Sequence, residues 1–122
     1  MADWNPSELT RIGSTQEVEV SSLREDGTLT KPVTTWAVTV GDELYVRSVR
    51  GDSGGWWKAA EGRHEGRLEA GDVGVDVTWE DAVGERDEEI DAAYEAKYGP
   101  SPHVASINAA EAKATTIRVL PR

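Results

Sequence analysis

The sequence predicts a mainly β domain of barrel type with helices at its flanks, in the α+β class. Strand-like segments with alternating apolar and polar residues are separated by short turns that contain Gly. A single long segment, Glu85 to Tyr98, instead spaces its apolar residues as a helix does. The 122 residues are enough for one domain and too few for two ordinary ones, so we expect residues 1–122 to form one unit.

The N-terminal half is predicted to form one helix and three strands. Asn5 can cap a helix whose first turn begins with Pro6, and Gly13 is expected to end it. Glu25-Asp26-Gly27 and Gly41-Asp42 are typical of tight turns between antiparallel strands. These turns separate the three predicted strands, which are Gln16–Arg24, Thr28–Val40 and Glu43–Arg50.

The C-terminal half is predicted to alternate between short helices and strands. Gly71-Asp72 marks a hairpin turn, and Gly99-Pro100 ends the long helix. A loop containing Ser and Pro is expected to follow that helix and to carry His103. The remaining predicted elements are a helical turn at Trp56–Ala60, strands at His64–Ala70 and Val73–Glu80, a helical turn at Ala109–Ala112, and a strand at Thr115–Leu120.

The overall charge and composition exclude several classes of partner. The net charge of −10 disfavours nucleic acids and anionic membrane surfaces, which would repel the chain. There is no cysteine, and therefore no disulfide or thiolate metal site. No run approaches the roughly 20 apolar residues of a membrane span, and the N-terminus does not resemble a signal peptide. We therefore expect a cytoplasmic protein.

One basic segment stands out in this acidic chain. Between Arg47 and Lys58, a strand end is followed by a glycine-bearing loop, two tryptophans and a lysine. Glycines allow backbone N–H groups to turn toward an anion, and Arg50 can bind phosphate with two hydrogen bonds. The alternatives are a solubilising surface for the charges and core packing for Trp56 and Trp57. The segment contains neither a Walker pattern nor a dinucleotide-binding fingerprint, so by itself it indicates only an anion site.

Catalytic and metal-binding sets are harder to find. His64 and His103 are the two histidines, and neither has an evident partner in the sequence. Glu65 adjoins His64, but neighbouring residues of a strand point to opposite faces. The acidic run Asp87-Glu88-Glu89 and Asp91 is predicted to be the solvated face of the long helix. We therefore predict no metal site and identify no catalytic residue.

Several motifs together resemble those of the FMN-binding split barrels. This group includes the pyridoxamine-phosphate-oxidase-like proteins and the deazaflavin-dependent nitroreductases, and the resemblance is strongest to a bacterial subfamily of unknown function. It covers most of the chain. The motifs are Val20–Gly27, Val33–Val38, Gly41–Ser48, Arg50-Gly51, Trp57, Ala59-Ala60, Asp91–Tyr94, Lys97–Gly99 and Thr115–Arg118.

The resemblance implies a six-stranded antiparallel split β-barrel that forms a homodimer and binds FMN or a deazaflavin at the subunit interface. It implies that the flavin phosphate is held by Arg24, Ser48, Arg50 and Lys58. It also implies that the flavin ring is lined by Thr34, Thr35 and Trp36. The expected function is that of a flavin-dependent oxidoreductase. The alternative is a non-enzymatic module that sequesters a small anionic ligand, or that has lost the cofactor and serves as a dimeric interaction domain.

Overall fold

A computed structural model describes residues 4–49, 51 and 55–122, and in these residues the chain forms five helices and seven strands. The helices are α1 (Pro6–Ser14), α2 (Gly55–Arg63), α3 (Asp87–Tyr98), α4 (Pro102–Ile107) and α5 (Ala110–Lys113). The strands are β1 (Val18–Ser22), β2 (Val33–Thr35), β3 (Ala37–Val40), β4 (Glu43–Val46), β5 (Glu65–Ala70), β6 (Val73–Asp81) and β7 (Ile117–Pro121). None of the described helices is long and apolar enough to cross a membrane.

All seven strands belong to one antiparallel sheet in the order β2-β1-β5-β6-β7-β4-β3. The two outermost strands, β2 and β3, are separated in the chain by Trp36 alone. Because the ends of the sheet are joined by one residue, the sheet must curl round on itself. The result is the expected mainly β barrel, nearly closed and flanked by helices.

The prediction of six strands is wrong, because the segment Thr28–Val40 does not form one strand. Leu29 forms an isolated bridge with Leu23, and regular strand pairing begins only at Val33. The strand breaks at Trp36, whose carbonyl accepts a hydrogen bond from Tyr94 Oη (2.7 Å). Before the break, Thr35 pairs with Val18 of β1. After it, the chain pairs with β4, on the opposite edge of the sheet. A contact with α3 therefore bends the chain at a point where alternation alone predicts a straight strand.

The barrel interior is organised around two tryptophans. Trp79 is fully buried, and its ring centroid lies 5.6 Å from that of Trp56. Ser22 joins them, because its hydroxyl donates to the Trp56 carbonyl (2.7 Å) and accepts from Trp79 Nε1 (3.0 Å). The interpretation of Trp56 as a packing residue is therefore confirmed.

A second apolar cluster covers the outer face of the barrel beneath α3 and α4. Val38 and Tyr45 of the sheet pack there with Ile90 and Tyr94 of α3. Strand β4 is consequently buried on both faces, since Leu44 and Val46 belong to the interior cluster. This second layer fixes α3 against the strand pair β3–β4.

Helix capping explains one confirmed prediction and one error. Asn5 Oδ1 accepts hydrogen bonds from the backbone N–H groups of Ser7 (2.9 Å) and Glu8 (3.3 Å), so α1 begins as predicted. The expected loop around His103 is instead the helix α4. Its cap is built in the same way, with Ser101 Oγ accepting from the Val104 N–H (3.2 Å) and a proline following the cap. The Ser-Pro pair was therefore a helix-start signal of the same kind.

Candidate functional site

A cleft of about 510 Å³ opens between β2, the end of β4 and the start of α2. This volume falls within the range of roughly 300–1,000 Å³ typical of small-molecule sites. The wall mixes hydroxyl groups and a lysine with short apolar side chains, so it offers both orienting hydrogen bonds and apolar contact. The lining residues are Lys31, Pro32, Val33, Thr34, Thr35, Ser48, Val49, Gly55 and Trp56.

A smaller cleft of about 250 Å³ adjoins the first and shares Thr34, Thr35 and Val49 with it. Its distinctive wall is Trp36, whose ring stacks on Tyr98 with the centroids 3.9 Å apart and the planes 7° apart. His103 of α4 meets the same indole edge-on at 6.0 Å. The stacking holds the indole in place, so the two clefts together combine a polar chamber with a fixed aromatic wall.

The electrostatic character of the larger cleft favours an anion at one end. Helix α2 begins at Gly55, a lining residue, and no acidic residue occupies its first turn. The N-terminus of a helix carries a partial positive charge and unpaired N–H groups. Lys31 adds a full positive charge to the same cleft, whereas Glu17 lines the smaller cleft.

Four of the residues predicted to hold the cofactor come together here. Thr34 and Thr35 line both clefts, Trp36 lines the smaller one and Ser48 lines the larger one. The Thr35 hydroxyl donates to the Arg47 carbonyl (3.0 Å), which fixes its orientation. The backbone N–H of Ser48 is similarly occupied by Thr115 Oγ1 (2.8 Å).

Of the other three predicted residues, the two that the structure describes are not assembled with them. Arg24 donates to Thr28 Oγ1 (3.2 Å) and to the Leu29 carbonyl (2.9 Å), within its own hairpin, and does not line either cleft. Lys58 is exposed on α2 and is likewise absent from the cleft walls. Arg50 lies outside the described residues.

Lys31 is the cleft cation that sequence reasoning missed. It precedes Pro32, and a residue before proline is held in an extended conformation. That local signal predicts the backbone of Lys31 but not what it faces. Its place beside Ser48 depends on β2 and β4 meeting near the barrel closure, which is a tertiary property.

Arg47 belongs to the predicted basic segment but does not line either cleft. Its side chain is fully buried, and Nη1 lies 2.7 Å from Asp91 Oδ1 while Nε donates to Thr116 Oγ1 (2.9 Å). Burial raises the pKa of Asp91, but hydrogen bonds from Lys113 and Arg47 outweigh that effect and leave it below its ordinary value. Asp91 is thus an ion-pair partner, and the prediction that it lies on a solvated face is wrong.

The half-buried amine of Lys97 makes the folding stability depend on pH. Its Nζ donates to the Ala37 carbonyl (2.6 Å), and burial lowers its pKa from 10.5 to about 8. Because the folded pKa lies below the unfolded one, the charged amine opposes folding below pH 8. That penalty disappears as the pH rises from about 8 to 10.5.

Between pH 7.5 and 9.5, we therefore expect the unfolding free energy of the wild type to rise relative to Lys97→Met. The expected change is about 1 kcal/mol after allowing for solvent screening. Urea denaturation of both proteins at the two pH values measures it. A stability difference that does not vary with pH would contradict the assignment.

The structure is a barrel-type domain with a cleft of small-molecule size at the junction of β2, β4 and α2. The chain belongs to a bacterial family described as "Uncharacterized protein conserved in bacteria (DUF2255)", whose model matches residues 8–119. No curated protein matches the sequence.

Solved structures share the fold at low sequence identity. One described as an F420 reductase is 16% identical, with a TM-score of 0.62 over 93% of this chain and 90% of that one. A FAD-binding protein from Mesorhizobium loti is 17% identical, with a TM-score of 0.52 over 98% and 91%. Campylobacter jejuni ChuZ is 13% identical, with a TM-score of 0.67 over 97% of this chain and 54% of that one. This chain therefore corresponds to about half of ChuZ.

Proposed function

We propose that this protein binds a flavin-type cofactor, FMN or a deazaflavin, in the joined clefts, and acts as an oxidoreductase. The observation that carries the proposal is the pairing of a chamber containing Lys31, Ser48 and the start of α2 with an aromatic wall at Trp36. A flavin needs both features, because it joins an anionic phosphate to a flat apolar ring. The shared fold of an F420 reductase and a FAD-binding protein supports the same class of ligand.

The phosphate is expected at the end of the larger cleft. Lys31 can supply a charge-assisted hydrogen bond, and the Ser48 hydroxyl a neutral one. Helix α2 begins at the wall of the same cleft, so the positive end of its dipole lies close to the expected phosphate. We retain Arg50 as a predicted phosphate ligand. Arg24 and Lys58 do not line either cleft, so we assign the phosphate role predicted for them to Lys31 instead.

The ring is expected to lie along β2, beside the threonines and against Trp36. Thr34 can orient ring carbonyl or nitrogen atoms, while the indole face excludes water from one side. A bound flavin supplies hydride transfer, and the protein supplies binding and orientation. In this proposal, the residues lining the clefts position the cofactor.

A second copy of the chain is the proposed cover for the open side of the cleft. Val33 and Val49 line the cleft yet are 40% and 52% exposed, and Leu29 in the preceding segment is 44% exposed. Apolar side chains of this size around a ligand site gain stability when an apolar surface covers them. A homodimer with the cofactor at its interface would provide that surface.

Titration with FMN, FAD and F420, followed by flavin fluorescence, tests the proposal. We expect saturable binding of at least one of them, and a roughly tenfold to hundredfold weaker affinity in Lys31→Ala, the loss of one charge-assisted hydrogen bond. Lys58→Ala is the matched control, because it also removes one positive charge, from an exposed position that does not line either cleft. Its affinity should stay within about twofold of wild type if Lys31 is the phosphate ligand.

The same titration distinguishes the alternatives. If Lys58→Ala weakens cofactor binding and Lys31→Ala does not, the phosphate is held by the residues predicted from the sequence and not by Lys31. Tight binding, with no reduction of the bound flavin by NADH, NADPH or reduced F420, would support the sequestering module over the enzyme. If none of the three cofactors binds, flavin binding is wrong.

A further inference from the structure

Three potential metal ligands meet on the side of the barrel where α2 ends. Glu61 lies in the last turn of α2, His64 joins α2 to β5, and Asp81 ends β6. One ligand atom from each lies within 4.8 Å of the other two. The His64 Nε2 to Asp81 Oδ2 distance is 3.5 Å. Ligand atoms at about 2.0–2.2 Å from a zinc ion are roughly 3.0–3.6 Å from one another. Small side-chain rotations would therefore bring these three ligand atoms to a common zinc ion.

The backbone holds His64 in an unusual way. Among the described non-glycine residues, only His64 has a positive φ, of 60°. The His64 N–H donates to the Ala60 carbonyl (2.7 Å), and the His64 carbonyl accepts from the Trp79 N–H (2.9 Å). Left-handed backbone is disfavoured for a residue with a side chain, and such strain often accompanies functional positions. These two bonds place the imidazole at the end of α2, facing the last residue of β6.

The carboxylates of Glu61 and Asp81 are close enough to repel each other. Their ligand oxygens lie within 4.8 Å of each other, and His64 is the third member of the same cluster. Within the described residues, the ionic contact of Asp81 is with His64 alone, and the basic neighbour Arg63 pairs with Glu65 instead. The pair therefore carries negative charge that a bound cation would neutralise.

We propose that Glu61, His64 and Asp81 form a binding site for a divalent transition-metal ion, with zinc as the best match. An imidazole nitrogen favours zinc over magnesium or calcium, and two carboxylates complete a three-ligand set. Water would fill the remaining coordination position, because Asp81 and His64 are both reached by solvent. The ion would connect the end of α2 to β6. The sequence pattern excluded this site because it could not place Asp81 beside His64.

Zinc titration of tag-free, metal-stripped protein at pH 7.5, in competition with a chromogenic chelator, tests the site. We expect one zinc ion per chain and a higher melting temperature when zinc is present. His64→Asn keeps a residue that tolerates positive φ while removing the imidazole, and Asp81→Asn removes one carboxylate charge. Each should weaken zinc binding at least about tenfold, since loss of an outer-shell partner alone costs that much.

The chain's other histidine provides the matched control. His103 lies in α4, so His103→Asn should bind zinc as the wild type does. Wild-type protein that binds no stoichiometric zinc would overturn the proposal. Equal binding by wild type, His64→Asn and Asp81→Asn would overturn it as well, because the zinc would then be held elsewhere.

Discussion

Replacing Arg47 with alanine is expected to lower the free energy of unfolding by about 3–5 kcal/mol. The guanidinium is fully buried, and it bonds to α3, to the segment after α4 and to the residue that precedes β7. Its contacts include Asp91 (2.7 Å), Asn108 Oδ1 (3.0 Å) and Thr116 Oγ1 (2.9 Å). Truncation would leave those acceptors without their donor and open a space beneath α3.

Chemical denaturation followed by tryptophan fluorescence measures the effect, and Arg47→Met separates its two causes. Methionine fills much of the space without restoring the hydrogen bonds, so it should recover the packing part of the loss. Arg11→Ala is the control, because Arg11 pairs with Asp72 in an exposed ion pair at 2.8 Å. Its change should stay below about 1 kcal/mol. A loss of similar size in both alanine variants would show that burial is not what makes Arg47 important.

Replacing Gly66 with alanine is expected to destabilise the fold by about 3 kcal/mol, at the upper end for overpacking. A Cβ at this position would overlap the Ser21 carbonyl oxygen and lie 2.7 Å from the Trp79 ring. Neither neighbour can move easily. Gly66 pairs with Ser22 of β1, and Trp79 is held by its bond to the Ser22 hydroxyl. The methyl group would therefore have to separate β1 from β5.

Gly62→Ala is the matched control, with an effect of opposite sign. Gly62 lies within α2, and a Cβ there would meet no atom within 4 Å. Alanine should raise helix stability by roughly 0.5–1 kcal/mol. Thermal and urea unfolding of both variants measure the contrast. A Gly66→Ala protein as stable as wild type would mean that β1 and β5 can separate without loss of pairing.

Features that depend on adjacent residues could be predicted from the sequence. The Asn5-Pro6 cap, the Gly71-Asp72 turn and the helix ending before Gly99 all appear in the structure. Each is specified by side chains or backbone preferences within a few positions. The resemblance of longer motifs to those of the split barrels then predicted how these elements assemble, as a barrel with flanking helices. It also identified Thr34, Thr35, Trp36 and Ser48, which line the clefts.

The remaining features depend on residues distant in sequence that the barrel brings together. The break at Trp36 depends on Tyr94, 58 residues later, and the role of Arg47 depends on Asp91, 44 residues later. Basic residues look alike in sequence, yet Arg47 is buried, Lys31 lines the larger cleft and Lys58 lies outside both cleft walls.

Short-range preferences in the sequence therefore determined most of the local elements, their turns and the mainly β class, but not the break at Trp36 or the number of strands. Only the tertiary structure decided which charges face the cleft, which support the core and which meet at the end of α2. The pairing of the strands and the packing of the helices on the sheet set those distances, and no local pattern encodes them.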